Sequence, residues 1–154
     1  MSVPFGDSSL LSKDMLLVYK MIMKDFNDDQ HCFVCGKKNL AGLKIEFREN
    51  LQSKEVEAEV IFPPHLQGWQ GTVHGGLLAT VLDEIMIKAA AAAGIKCVTA
   101  EITVKYKKPA FTGTTYQVHG KMLEMRGKIV TAESRLCDAS GQIYAQATGK
   151  LFKI

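Results

Sequence analysis

Between Gln67 and Gly94 the chain reads QGWQGTVHGGLLATVLDEIMIKAAAAAG. This is a glycine-rich loop running into a helix that is apolar on nearly every side. Leu77, Leu78, Val81, Leu82, Ile85, Met86, Ile87 and the alanines from Ala89 to Ala93 leave only Thr80, Asp83, Glu84 and Lys88 as polar side chains. A helix of that kind belongs in an interior. Roughly twenty residues at about 1.5 Å each give a rod about 30 Å long, the width of a small domain. The rest of the chain is expected to wrap it.

The flanking sequence has the periodicities such a wrapping needs. Ser9 to Asp28 carries apolar residues at helical spacing with charges between them, which predicts an amphipathic surface helix within an N-terminal extension over residues 1–30. A turn-rich segment follows from His31 to Gly42. Leu43 to Arg48 and Val56 to Phe62 alternate as strands do, with Glu49 to Ser53 as the connection, and Pro63 and Pro64 stop the second strand.

Gly94 ends the buried helix. Beyond it Val98, Ala100, Ile102, Val104 and Tyr106 alternate with Thr99, Glu101, Thr103, Lys105 and Lys107, and Pro109 and Gly113 close that strand. Tyr116 to Met125, Ile129 to Cys137 and Gln142 to Phe152 complete the set, joined at Arg126-Gly127-Lys128 and Asp138-Ala-Ser-Gly141. Small residues at Ala145, Ala147 and Gly149 would let a helix lie close to the sheet. The order is helix, two strands, buried helix, four strands. That predicts an α+β fold in one domain over residues 1–154, a curved antiparallel sheet around one long helix.

Composition narrows the function. A net charge of +3 over 154 residues, with basic and acidic residues interspersed, lacks the clustered positive footprint of a nucleic-acid binder. No apolar run spans a bilayer, because Asp83, Glu84 and Lys88 interrupt the longest, and the N-terminus lacks the pattern of a signal peptide. The expected location is the cytoplasm, with neither membrane nor nucleic acid as partner. Cys32 and Cys35, after His31, have zinc-ligand spacing at one end only, with no second pair to complete four ligands. They are read as two half-buried thiols in a turn, and no metal is expected.

Several segments together resemble one family. They are the loop from Gln67 to Gly76 with Leu77-Leu78-Ala79-Thr80 and Leu82-Asp83, and Phe33-Val-Cys35-Gly36 with Asn39 and Gly42-Leu43. Ala100 to Tyr106 with Pro109, and Ala145 to Gly149, complete the set. In order and spacing they resemble the PaaI-like branch of the hotdog-fold acyl-CoA thioesterases, over most of the chain from His31 onward. The resemblance implies a homodimer whose two sheets join, often paired again into a tetramer, with active sites at the subunit interface.

Thioester hydrolysis needs donors for the carbonyl oxygen and a group that activates water or attacks directly. Gly75 and Gly76 lie where the helix begins, so their N–H groups lack helical partners at its electropositive end. Glu84 has Lys88 one turn on, the spacing of a helix ion pair. Asp83 has no such partner, and an unpaired carboxylate on a buried helix has its pKa raised, as a base requires. The resemblance also puts the catalytic acid here, nine residues after His74. The plain alternative is an Asp that merely caps a neighbouring backbone.

Gly76 and Asp83 are about 10 Å apart along one helix, whereas both groups must come within about 3 Å of one carbonyl. The donors and the acid are therefore expected from different subunits. His74 is read first as holding the loop in shape, and second as a base. Where related enzymes have an Asn six residues before this histidine, this chain has Gly68, with Gln67 beside it as a possible substitute. Thr99 is similar to a family position whose hydroxyl orients the attacking water, and it is equally a plain strand threonine.

Coenzyme A, as part of the substrate, needs a basic rim. Lys105, Lys107, Lys108, Arg126 and Lys128 are the candidates, and Trp69 is a candidate wall for the acyl or pantetheine channel. No cofactor is expected. The function expected is an acyl-CoA thioesterase. A non-catalytic acyl-CoA binding or sensing protein on the same scaffold is the alternative, and a hydratase, for which no second acid/base group is visible, comes third.

Overall fold

The computed structural model describes residues 27–50, 52–53 and 55–154. Among these residues six strands form one antiparallel sheet: β1 (Arg48–Asn50), β2 (Glu55–Ile61), β3 (Cys97–Tyr106), β4 (Thr115–Arg126), β5 (Ile129–Cys137) and β6 (Ile143–Lys153). Their order across the sheet is β1-β2-β4-β5-β6-β3. One helix, α1 (Gly75–Ala92), packs on the sheet, and a 3-10 turn at Pro64–Leu66 follows β2. No helix among the described residues is long and apolar enough to cross a membrane.

α1 is the wrapped element that its composition predicts. Leu78, Val81, Leu82, Ile85, Met86, Ala89 and Ala90 are buried on it. They meet Val118, Val130, Ala132, Leu136, Ala145, Ala147 and Leu151 from the strands in one apolar cluster. At about 1.5–3 kcal/mol for each large side chain, the five non-alanine residues contribute on the order of 10 kcal/mol before conformational entropy is counted.

The helix lies very close to β4. A Cβ at Gly120 would stand 2.7 Å from the Ile85 carbonyl oxygen, so only glycine fits there. On β5 the buried Ser134 hydroxyl donates to the Leu82 carbonyl at 2.9 Å, fixing the turn of α1 that carries Asp83. Ala93 caps the C-terminal end and Gly94 follows with φ 76°, where a glycine turns the chain without strain.

Two expectations change, and a third lies outside the described residues. The strand expected over Leu43 to Arg48 begins only at Arg48 and runs to Asn50, into the region expected to be the connection. The reason is that Leu43 N and Ile45 N donate to Phe33 O and Val34 O, and Lys44 has φ 54°, so this segment is tied to the cysteine turn and leaves the sheet. The faces of β3 also differ from simple alternation. A bulge at Ala100 places Thr99 opposite Leu151 and Ile102 opposite Gly149, so Thr99 and Ile102 share the inner face. The helix expected over Ser9 to Asp28 falls outside the described residues except for Asn27 and Asp28, which are not helical.

Candidate active site

The loop before α1 is a small closed hairpin. Gly68 N donates to Thr72 O and Thr72 N to Trp69 O, both at 2.9 Å, while the Gln67 side-chain oxygen accepts from Gly71 N at 3.0 Å. Gln67 therefore holds the loop by its side-chain carbonyl. Trp69 stands at the tip, 87% exposed, and packs little against its own protomer. Gly68 passes so near His74 that a Cβ would lie 3.3 Å from the histidine Cα.

His74 is the N-cap of α1. Its Nδ1 accepts from Gly76 N at 3.0 Å, which requires the proton to sit on Nε2. The two candidate glycine donors are thus distinguished: the Gly76 amide is taken by the cap, while Gly75 N–H carries no hydrogen bond among the described residues. The Tyr106 hydroxyl donates to Gly75 O at 2.9 Å, and its ring lies over Gly75. The sequence places Tyr106 in a segment that carries the family resemblance but gives it no role in the site, because a tyrosine at a strand end carries no signal of its partner.

Two turns further along, Asp83 is partly buried and receives the Thr99 hydroxyl on Oδ1 at 2.6 Å. Burial holds its carboxyl above the ordinary aspartate range. The Thr99 hydrogen bond pulls the other way, and the adjacent Glu84 charge adds to the rise. This contact exists because the bulge at Ala100 turns Thr99 inward. A carboxylate that is desolvated, held by one hydroxyl and, among the described residues, unpaired with any cation has the properties of a base.

β3 carries both Thr99 and Tyr106 and is the last strand in the sheet. The acid and the start of α1 therefore both lie beside a sheet edge that pairs with no further strand among the described residues. Gly75 and Asp83 are eight residues apart, about 12 Å along the helix, so a single protomer does not bring its own free amide to its own acid.

The candidate basic residues fall in two groups. Lys105, Lys107 and Lys108 lie at the Tyr106 end of β3, where Lys108 Nζ donates to Gln142 at 2.8 Å. Arg126 and Lys128 form the β4–β5 turn, where Lys153 N, beside Cys97, donates to Lys128 O. The two groups are separated by the length of β3, roughly 30 Å. Arg126 is engaged with Glu124 at 3.2 Å, and Lys128 lies over the Phe152 ring. One protomer therefore forms no single basic rim from these five residues.

On the neighbouring side of α1, Glu84 pairs with Lys88 at 3.4 Å, as the spacing predicts. It also accepts from Cys32 and Cys35 at 3.7 and 3.1 Å. Burial and Glu84 push the Cys35 thiol up to about 12. No sequence signal joins a turn near residue 33 to the middle of a helix fifty residues later.

The sequence pattern of the thioesterase superfamily matches residues 70–145. The acyl-coenzyme A thioesterase THEM4 of Bos taurus is 23% identical over 144 residues, covering 92% of this chain and 59% of its own length. The chain thus spans well under two thirds of that relative.

Among solved structures, a thioesterase superfamily protein superposes with a TM-score of 0.76 at 22% identity, covering 99% of this chain and 82% of its own. The PaaI protein of E. coli, from the phenylacetic acid degradation operon, gives 0.65 at 17% identity, with 73% and 80% covered. A hypothetical thioesterase of Streptococcus pneumoniae, solved with coenzyme A, gives 0.64 at 19% identity, with 71% and 86% covered. That protein has also been solved with alanine replacing an aspartate and, separately, a threonine sixteen positions further on. The antiparallel sheet wrapped on one long helix is the hotdog fold, and the stretch from the site loop through α1 and β3 to β5 is similar in sequence to the thioesterase superfamily.

Proposed function

We propose that this chain is an acyl-CoA thioesterase, releasing a free acid and coenzyme A, with Asp83 as base or nucleophile. The observation that carries this reading is the Asp83–Thr99 pair at 2.6 Å beside the β3 sheet edge. The sixteen-residue interval between Asp83 and Thr99 equals that between the two positions replaced in the Streptococcus pneumoniae protein, which supports the assignment.

In this reading two protomers join through their β3 edges, with a further pairing of dimers open. Each active site takes Asp83 and Thr99 from one protomer and the helix start from its partner. The thioester carbonyl accepts from the free Gly75 N–H at the electropositive end of α1. His74 positions that end by holding Gly76 N–H. Ionised Asp83 takes a proton from water as the water oxygen adds to the carbonyl carbon, or adds to that carbon itself to give an anhydride that water then hydrolyses; in either route the C–S bond breaks and coenzyme A leaves as the thiolate. Thr99 fixes the carboxylate orientation.

Trp69 and Gln67 line the entry, with Gly68 giving room. The phosphates are met by basic side chains of the two protomers, drawn from Lys105, Lys107, Lys108, Arg126 and Lys128. The reaction uses no cofactor. The four free cysteines fit a reducing cytoplasm.

The test is thiol release from short, long and aromatic acyl-CoAs, combined with sedimentation. Turnover by a dimer or tetramer that is lost in Asp83→Asn is the expected result. Binding of every acyl-CoA without turnover would instead establish a sensor, and a fully active monomer would overturn the shared site.

A further inference from the structure

We propose that Cys32, Cys35 and Glu84 form a binding site for one thiophilic divalent cation of the zinc class, clipping the cysteine turn to the middle of α1. The two thiol sulfurs and one Glu84 oxygen all lie within 4.8 Å of one another, and all three residues are half-buried. A zinc ion with about 2.3 Å bonds to sulfur and about 2.0 Å to a carboxylate oxygen, at tetrahedral angles, sets its sulfur and oxygen ligands about 3.5 Å apart. The observed separations from Glu84 Oε1 are 3.7 Å for Cys32 and 3.1 Å for Cys35, one on either side of that value. The three atoms can therefore close on one ion with small side-chain movements.

The turn is built to present its sulfurs. Gly36 N donates to Cys32 O at 2.9 Å, and Val34 N donates to Cys32 Sγ at 3.4 Å, an amide aimed at the atom that would carry thiolate charge. A Cβ at Gly36 would fall 2.5 Å from Cys32 N, so the wrap after the second cysteine requires glycine. Bonds from Leu43 N to Phe33 O and from Ile45 N to Val34 O anchor the turn. Cys32 opens no helix, the setting that favours thiol–disulfide exchange, so the arrangement suits a ligand pair better than a redox pair.

Charge balances as well. Binding exchanges two thiol protons for one dication. The cluster of two thiolates, one carboxylate, the ion and the Lys88 ammonium 3.4 Å from Glu84 is then neutral, as the cluster of two thiols, carboxylate and ammonium is without it. Three protein ligands leave a fourth position for water. Asp83 points to another face of the helix, so the ion would brace the helix and take no part in hydrolysis.

The test is Co2+ added to the reduced full chain, read by absorption. One equivalent producing sulfur-to-cobalt charge transfer with tetrahedral visible bands, displaced by Zn2+, is expected. In Glu84→Gln the affinity should fall by about tenfold or more. The charge-transfer intensity should drop in Cys35→Ser and persist in Cys97→Ser. Absence of the charge-transfer band from the reduced parent chain, or unchanged affinity in Glu84→Gln, would overturn the site. If Cys35→Ser does not fold, the parent spectrum and Glu84→Gln still decide. The readout is independent of thioesterase activity.

Discussion

Asp83 and Glu84 are neighbours on α1, turned about 100° from each other, and they meet different surroundings. Glu84 faces the cysteine turn and is compensated three ways, by Lys88 and by two thiols. Asp83 faces the bulge of β3 and, among the described residues, has one hydroxyl donor and no cation. A carboxylate surrounded by donors and a counter-ion is structural. One left with a single donor in a desolvated place keeps its proton affinity and is available for chemistry. One helical step separates the two conditions.

The largest effect expected from probing this contrast is on turnover. Asp83→Asn keeps the volume and removes the proposed base, so kcat in the thiol-release assay should fall by about 100- to 10,000-fold. The same variant should unfold at a higher temperature at neutral pH. A carboxyl whose folded pKa lies above its unfolded value helps folding most in acid, where it is protonated. That help is lost as pH rises through the folded pKa, so near neutrality the buried charge is a net cost that the amide removes. An Asp83→Asn protein less stable than the parent at neutral pH would mean that Asp83 is a structural acid like its neighbour.

Displacing both acids together comes next. Gly120→Ala drives a methyl against the Ile85 carbonyl, backbone that cannot yield cheaply, and should lower stability by about 1–3 kcal/mol in denaturant titrations while reducing activity.

Glu84→Gln attacks the compensated side alone. It leaves Lys88 without its counter-ion in a place where the two side chains are only 32% and 17% exposed. The expected loss is about 1–2 kcal/mol by thermal or chemical unfolding, less than for a fully enclosed pair.

The smallest change is Thr99→Val, which removes the one donor that holds Asp83's pKa down. The acid limb of the kcat/KM profile should move to higher pH, because Asp83 must be ionised to act. The plateau should drop by about 2- to 10-fold, one hydrogen bond's worth. An unmoved acid limb would show that the 2.6 Å contact does not govern the titration.

Much of this was readable from residue order. An apolar stretch with four polar interruptions specifies a buried helix wherever it sits, and turn signals at Gly127 and Gly141 place strand ends because both residues have positive φ. The Glu84–Lys88 pair followed from local spacing, and local spacing survives folding. Less readable was anything that depends on a bulge. Strict alternation puts Thr99 and Ile102 on opposite faces of β3, and one extra residue at Ala100 reverses this.

Composition and period thus dictate the buried helix, the strands around it and the isolation of Asp83 from any helical partner, since these depend on chain neighbours alone. Folding assigns that acid its threonine, takes the Gly76 amide for the His74 cap and brings two thiols to Glu84 from a third of the chain away. Those contacts arise from how a curved sheet and a turn close on one helix. Their geometry is set by packing distances of a few ångströms, which no spacing along the chain encodes.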